Sequence, residues 1–353
     1  MKPPVAAQFR AAAPRICVAA GRLVAWLVPG LAIGLLALSV CGPAFAQGTA
    51  VARTLAQVNQ ALQTGETDKA LGLISSLPQG GAQSAEAQNL ECRIRYTLQQ
   101  WDAAVGNCEQ AVRLDGQNSN YHLWLGRALG EKADRASFMS AFSLGKRVRA
   151  EFEAAVKLDP HNAEALSDVG DFYKEAPGIV GGGMDKAEAI AAQLDKIDAA
   201  RAHQLRARIA EARKDFGTAE REFKQAVASA VHPADYWTTL ASFYRRRQRW
   251  QDLDSAIHNC VSAVEKEKRP GVPLYDAAGV LIESNRDPSL AAKLLEEYLA
   301  GNSKSEEAPA FEAHLRLARL KKQLGDIPGA QRETAAALQL AHDYKPALDF
   351  RPR

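Results

Sequence analysis

Several residue patterns that carry catalysis or bind metals are absent from this 353-residue sequence. Its seven histidines are scattered, and neither His-Glu-x-x-His nor a paired Cys-x-x-Cys occurs, so nothing supports a zinc site. Gly-x-Ser-x-Gly is also absent, which removes support for the nucleophile turn of an esterase. The sequence therefore predicts a protein that has no catalytic activity of its own and needs neither a metal nor a cofactor.

Acidic residues are missing from residues 1–46, which hold four basic residues instead. An apolar stretch from Leu23 to Val40 follows the basic start and leads to Ala44-Phe45-Ala46. A basic start, an apolar middle and an Ala-x-Ala end are typical of a secretory signal peptide. We expect cleavage before Gln47, which leaves residues 47–353 in the periplasm or elsewhere in the cell envelope.

Two alternatives to cleavage would leave this segment in contact with a membrane. Eighteen mostly apolar residues could span a bilayer, although Pro29, Gly30 and Gly34 weaken that interpretation. Cys41 could carry a lipid, but Val40 stands where a lipoprotein signal has a small residue. Membrane contact is expected only in these two cases.

The basic excess of the chain belongs to the same segment. The whole sequence has 44 basic and 41 acidic residues, and removing the four basic residues of the segment leaves 40 against 41, a net charge of −1. A near-neutral body gives no global reason to expect nucleic-acid binding. Because 47% of the residues are hydrophobic, the body can bury a long core and is not expected to be disordered.

A short pattern recurs along the body: a turn, an often acidic residue, and a small residue that opens a helix. Ala70 and Ala104 are 34 residues apart, and Ala187, Ala219 and Leu253 follow one another at 32 and 34 residues. The two later copies follow at 38 and 39 residues. A period near 34 with helical patterning predicts a stack of helix-turn-helix units.

One copy shows most clearly how such a unit packs. Trp237, Leu240, Ala241 and Tyr244 lie at i, i+3, i+4 and i+7 on one helical face. The small residue lets two helices approach, and the aromatic residues fill the groove beside that contact. This order of large, small and aromatic residues resembles the tetratricopeptide repeat (TPR).

Partial copies of the same pattern extend the TPR resemblance over roughly residues 50–342. They occupy residues 85–116, 200–233 and 311–340. The resemblance implies an all-α, right-handed superhelical solenoid of seven or eight antiparallel helix pairs, whose first helices line the inner surface.

Two copies depart from the repeat. Residues 131–149 replace a short turn with an insertion that is itself helical in pattern, so it extends a helix or adds one. Residues 178–183 form a glycine-rich run. We expect both departures on one edge of the stack, packed together through four apolar residues, Phe138, Phe142, Ile179 and Val180.

The glycine-rich run has two interpretations. Glycine loops before helices can bind phosphate, but Met184-Asp185 stands where a phosphate loop needs Lys-Ser/Thr, and a helix precedes it instead of a strand. A projecting structural loop is favoured, with Asp185 stabilising the helix N-terminus. A ligand or partner site is the alternative.

The cysteines and the densest basic run also leave alternatives open. Cys92 and Cys108 are expected on facing helices of one repeat, where export would allow a disulfide; free buried thiols, as expected for Cys260, are the alternative. The basic run at residues 245–249 ends a helix. It is interpreted as an exposed turn, with contact to an acidic partner or anionic lipid as the alternative.

The function that these observations favour is an exported scaffold that binds a protein or peptide partner of unknown identity in its concave groove. Projecting the repeat onto that surface predicts six partner-binding residues, which do not reproduce the Lys and Asn pattern of the family's peptide clamp: Arg127, Asp171, Arg208, Ser242, Arg245 and Arg319. The alternative is a small-molecule binding protein or enzyme whose site lies at the helical insertion and the glycine-rich loop.

Overall fold

The computed structural model describes residues 42–269 and 271–352. Residues 1–41 of the predicted signal peptide lie outside this range, while residues 42–46 belong to the first helix. Within the described residues the chain is all-α, with one short 3-10 helix at Gly178–Val180 and one isolated bridge between Ser305 and Ala308. The predicted fold class is confirmed. None of the described helices is both long and apolar enough to span a membrane.

Sixteen of the described helices form eight antiparallel pairs, and two short helices, α3 and α18, lie outside the pairing. The helices are α1 Gly42–Thr64, α2 Thr67–Ser75, α3 Gln79–Ala82, α4 Ala85–Thr97, α5 Trp101–Leu114, α6 Ser119–Ala133, α7 Phe138–Leu158, α8 Ala163–Glu175, α9 Met184–Leu194, α10 Ala199–Ala212, α11 Phe216–Ser229, α12 Pro233–Arg246, α13 Trp250–Glu267, α14 Val272–Glu283, α15 Pro288–Ala300, α16 Ala310–Gln323, α17 Ile327–Leu340 and α18 Lys345–Asp349.

The small residues of the recurring pattern lie where the two helices of a pair meet. All of them are fully buried, which fits the close helix contacts that a small side chain allows. They are Ala70, Ala104, Ala187, Ala219, Ala291 and Ala330, and the larger Leu253 takes the same buried position in α13. Glycine serves the same purpose in α6, because a Cβ atom on Gly126 would come within 2.5 Å of the Phe152 ring of α7.

Six of the turns between paired helices share one backbone geometry. In each, the first or second residue after the first helix has a left-handed conformation, and the next backbone N–H donates to a carbonyl five residues back. In one example Asp215 N donates to Ala210 O at 2.9 Å. This hydrogen bond satisfies a helix-end carbonyl and ends the first helix sharply. The left-handed residues are Gly65, Gln99, Lys214, Gln248, Asn285 and Gly325.

The two predicted departures are the two pairs without this turn. Residues 138–149 of the insertion lengthen α7 at its N-terminus and add no separate helix. Val180 of the glycine-rich run is buried and faces Gly145 of α7, so the two segments do meet. Phe138 and Ile179 are strongly exposed, however. The predicted apolar contact is therefore wrong for these two residues.

A disulfide joins Cys92 and Cys108, whose Cα atoms are 5.2 Å apart. It connects α4 to α5 within one pair, as one of the two interpretations of the sequence expected. Cys260 is a buried free thiol near the carbonyl oxygens of Ala234 and Pro273, at 3.5 and 3.7 Å. It packs as a small apolar residue at a helix contact.

The last helix pair packs against the first, so the stack closes on itself. Thr67 Oγ1 of α2 donates to Leu340 O of α17 at 3.0 Å, and His342 N donates to Asp68 Oδ2 at 2.9 Å. Phe311 of α16 belongs to the same buried core as Leu55, Val58 and other residues of α1. Nothing in the repeat pattern predicts this closure.

Candidate partner-binding cleft

Closure places the loop between α15 and α16 (residues 301–309, the inner loop) against the inner surface of the first pairs. Glu306 of the inner loop is buried, and Arg93 of α4 donates to its two carboxylate oxygens at 2.9 and 2.5 Å. Gln63 Nε2 of α1 donates to Glu306 Oε1 at 2.9 Å. The chain thus occupies the inner surface of its own N-terminal pairs.

Arg127 of α6, the first predicted partner-binding residue, lies in a network of charges beside the inner loop. Its Nε donates to Asp168 Oδ2 at 2.6 Å, and its guanidinium also bonds Glu164 at 3.2 Å. The guanidinium lies 4.8 Å from the Trp124 ring centroid. Burial raises the pKa of Glu307, and the nearby Arg127 opposes that rise. Arg127 is therefore already paired within the chain.

The remaining inner surface forms a polar cavity of about 550 Å³, here called the central cleft. First helices of five successive pairs line it, namely α8, α10, α12, α14 and α16. Three of the predicted residues, Arg208, Ser242 and Arg245, are among its lining residues. The repeat register thus brings residues from two of these helices, α10 and α12, into one site.

The other two predicted residues lie outside the cleft lining. Asp171 pairs with Arg208 and lies 3.7 Å from the ammonium of Lys174. Arg319 is exposed, and Arg316, three residues earlier on α16, lines the cleft instead. Arg316 is held by Glu312 at 2.6 Å and lies 4.1 Å from the Tyr275 ring centroid.

Sequence reasoning did not single out most residues of the cleft. On α12 these are Asp235, Thr238 and Thr239, which lie three and four residues apart and lead to Ser242. On α14 the same spacing gives Asp276, Gly279, Val280 and Glu283. This i, i+3, i+4, i+7 pattern marks one face of each first helix. Continued along α12 from Ser242 and repeated on α14, this pattern predicts the cleft residues of both helices.

Among the carboxyl groups that line the cleft, that of Asp276 has the largest pKa shift. Burial raises its pKa to about 7, Asp235 and Glu283 act in the same direction, and Arg316 opposes them. Arg316 makes its hydrogen bonds to Glu312 and none to Asp276. The Asp276 carboxyl group therefore lines the cleft without an ion-pair partner among the described residues.

The basic run at residues 245–249 is paired within the chain. Arg249 bonds Glu220, and this contact lowers the pKa of Glu220 to about 2. The other three arginines contact, in chain order, Glu283 at 2.9 Å, Glu211 at 2.7 Å and the Phe216 ring at 3.7 Å. These contacts give all four arginines of the run a structural role within the fold.

The described residues contain no group of three or more histidine, cysteine or acidic side chains placed to hold a metal ion. The glycine-rich run also has local structural roles. Gly181 has a left-handed conformation, and its carbonyl accepts a hydrogen bond from Lys186 Nζ at 2.8 Å. Gly183 N donates to Tyr173 O at 2.8 Å. Neither this run nor the insertion in α7 lines the central cleft.

Comparison with known proteins shows which solved structures have a similar fold. No protein-family model matches the chain, and no curated protein matches it. A thermophilic TPR protein of Thermus thermophilus is 19% identical, with a TM-score of 0.47 over 55% of this chain and 98% of that one. Yeast Tom70 is 16% identical, with a TM-score of 0.50 over 80% of this chain and 57% of its own length. At this identity the likeness to Tom70 concerns the fold alone.

Proposed function

Starting from a TPR-like helical solenoid, we propose that the protein is an exported, non-enzymatic scaffold that binds a peptide segment of a protein partner in the central cleft. The observation that carries this proposal is the division of the inner surface. The inner loop covers the inner surface of the N-terminal pairs, while the first helices of five later pairs line an accessible polar cavity.

The size of the central cleft limits what can enter it. A volume of about 550 Å³ lies within the roughly 300–1,000 Å³ that is usual for ligand sites. An α-helix with its side chains is about 10–12 Å across, and a folded domain is larger still. A short extended segment, such as a loop or a chain terminus, is therefore the part of a partner that fits.

The polar lining suits a peptide backbone as well as side chains. Arg245 Nε is buried at the cleft and has no hydrogen-bond acceptor among the described residues. A buried donor without an acceptor costs roughly 1–3 kcal/mol. A backbone carbonyl of a bound segment is the kind of acceptor that it lacks.

Export is part of the proposal and has two kinds of support. The first is the basic, apolar and Ala-x-Ala order of residues 1–46. The second is the disulfide between Cys92 and Cys108, since disulfides persist mainly in oxidising compartments such as the periplasm. N-terminal sequencing of protein from the cell envelope tests this part. We expect Gln47 as the first residue, and a retained Met1 or a lipid on Cys41 would refute a soluble periplasmic protein.

A photoreactive residue placed at the rim of the cleft tests partner binding. Val231 suits this purpose because it lines the cleft and is 87% exposed. Ser255 on α13 is exposed but not part of the cleft lining, which makes it the matched control. We expect crosslinking in cells from position 231 to a defined segment of one partner, and none to that segment from position 255.

Binding of that segment to the purified protein completes the test. Thr239→Trp should fill the cleft and abolish binding measured by calorimetry, while Ser255→Trp should leave it intact. Equal crosslinking from both positions, or binding that survives Thr239→Trp in a folded protein, would place the partner surface elsewhere. The alternative of a small-molecule or enzyme site at the insertion and glycine-rich loop gains no specific support, because neither segment lines the cleft.

A further inference from the structure

The charges that line the central cleft are almost all neutralised within the chain. Its five arginines each have a carboxylate partner, so an anionic ligand would have to displace an existing ion pair. The pairs are Arg201 with Asp198, Arg208 with Asp171, Arg245 with Glu283, Arg246 with Glu211 and Arg316 with Glu312.

The acidic residues of the lining are paired as well, with one exception. Glu164 bonds Arg127 at 3.2 Å, and Asp235 lies 4.0 Å from Arg269. Asp276 lines the cleft with neither an ion pair nor a hydrogen bond from another described residue. A cationic ligand group would thus meet an available carboxyl group without breaking any contact.

The negative charge near Asp276 also favours a cation. Asp235 of α12 lines the same cleft and adds negative charge near Asp276. Elsewhere in the cleft lining, Tyr236 provides an aromatic side chain near Asp235, and aromatic faces attract cations.

We infer that the bound peptide segment presents a lysine or arginine side chain that pairs with Asp276. This inference rests on the proposed function and adds the chemistry of the partner. The carboxyl group of Asp276 pairs with the cationic side chain of the segment, and the negative charge of Asp235 adds to this attraction. The arginines of the cleft, which are already paired, disfavour acidic segments. Such a site selects its ligand by charge, because opposite charges attract the correct ligand and like charges repel the wrong one.

Three capped heptapeptides test this specificity on the mature protein. They share flanks of glycine, serine and alanine and differ only in the central residue, which is lysine, acetyl-lysine or glutamate. Binding is followed by nuclear magnetic resonance titration at pH 8 and low salt. Because a desolvated charge pair is at stake, we expect the lysine peptide to bind at least about tenfold more tightly than the acetyl-lysine peptide.

Two substitutions with the same charge change separate the cleft from the rest of the surface. Asp276→Asn should reduce the preference for lysine to less than about twofold. Asp254→Asn removes an exposed carboxylate of α13 that pairs with Arg286 and should leave the preference unchanged. The melting temperature of each variant confirms that it is folded.

The possible outcomes distinguish the two proposals. Equal binding of all three peptides would retain the cleft as a peptide site and overturn the basic specificity. Tightest binding of the glutamate peptide, or a lysine preference that survives Asp276→Asn, would also overturn it. If none of the peptides binds, neither the specificity nor the peptide-binding function stands.

Discussion

Replacing Asp276 with asparagine should stabilise the folded protein at pH 8 and have little effect at pH 4. The carboxyl has an ordinary pKa of 3.8, and in the folded protein burial raises that pKa to about 7. The charged groups that act on it are Arg316, Asp235 and Glu283, and the other ionisable groups near it are Glu307, Tyr275, Tyr298 and Cys260. Only Arg316 favours the ionised form.

The direction of the effect follows from proton linkage. Below about pH 4 the carboxyl is protonated in both the folded and the unfolded chain, so it does not affect stability. As the pH rises from about 4 to about 7, the unfolded chain loses this proton and the folded chain keeps it. Stability therefore falls over this window and levels off above it.

The size of the effect follows from the shift. A change of about three pKa units, at about 1.4 kcal/mol per unit, gives an upper bound of about 4 kcal/mol. Water in the cleft reduces this value, and we expect a gain of about 2–4 kcal/mol for Asp276→Asn at pH 8. Asparagine keeps the shape of the side chain and never ionises.

Urea unfolding of both proteins at pH 4, 6 and 8 in the same salt measures this difference. Asp254→Asn, on the outer helix α13, serves as the control and should change stability by less than about 1 kcal/mol. If Asp276→Asn is no more stable than the original protein at pH 8, Arg316 already compensates the ionised carboxylate and the reasoning is wrong.

Three further predictions concern the fold. Glu306→Gln should weaken the contact with the half-buried Arg93 and lower the free energy of unfolding by about 1–3 kcal/mol. It should also speed hydrogen exchange in residues 301–309. Unchanged exchange would mean that other contacts hold the inner loop. Lys214→Gly should raise the urea midpoint by the equivalent of about 0.5–1 kcal/mol, because the left-handed backbone at this position strains any side chain; a lower midpoint would contradict this. Ala219→Leu should cost about 1–3 kcal/mol by overpacking a fully buried helix contact, whereas Ala228→Leu on the exposed side of α11 should have little effect on the melting temperature.

The repeat could be predicted from the sequence because it depends on local spacing. Ala219 and Ala241 recur at positions where two helices touch, and both are fully buried. Three residues projected onto the inner surface, Arg208, Ser242 and Arg245, line the cleft. Whether that projection identifies partner-binding residues stays a prediction.

The rest depends on contacts between distant parts of the chain. Nothing in the sequence around Arg127 indicates that Asp168 and Glu164 pair with it or that Glu307 lies nearby. The role of the inner loop depends on closure, in which residues more than 200 positions apart come together. Local patterns contain no information about such pairings, so the division of the inner surface could not be predicted.

Closure also restricts how this protein can change in evolution. Open repeat arrays gain or lose units readily, because each unit chiefly contacts its neighbours. Here one added pair would separate Thr67 from Leu340 and would move Glu306 away from Arg93. One lost pair would leave the stack too short for its two ends to meet. The eight-pair stack therefore has a fixed number of units, and its relatives are expected to diverge in the lining of the cleft while keeping that number.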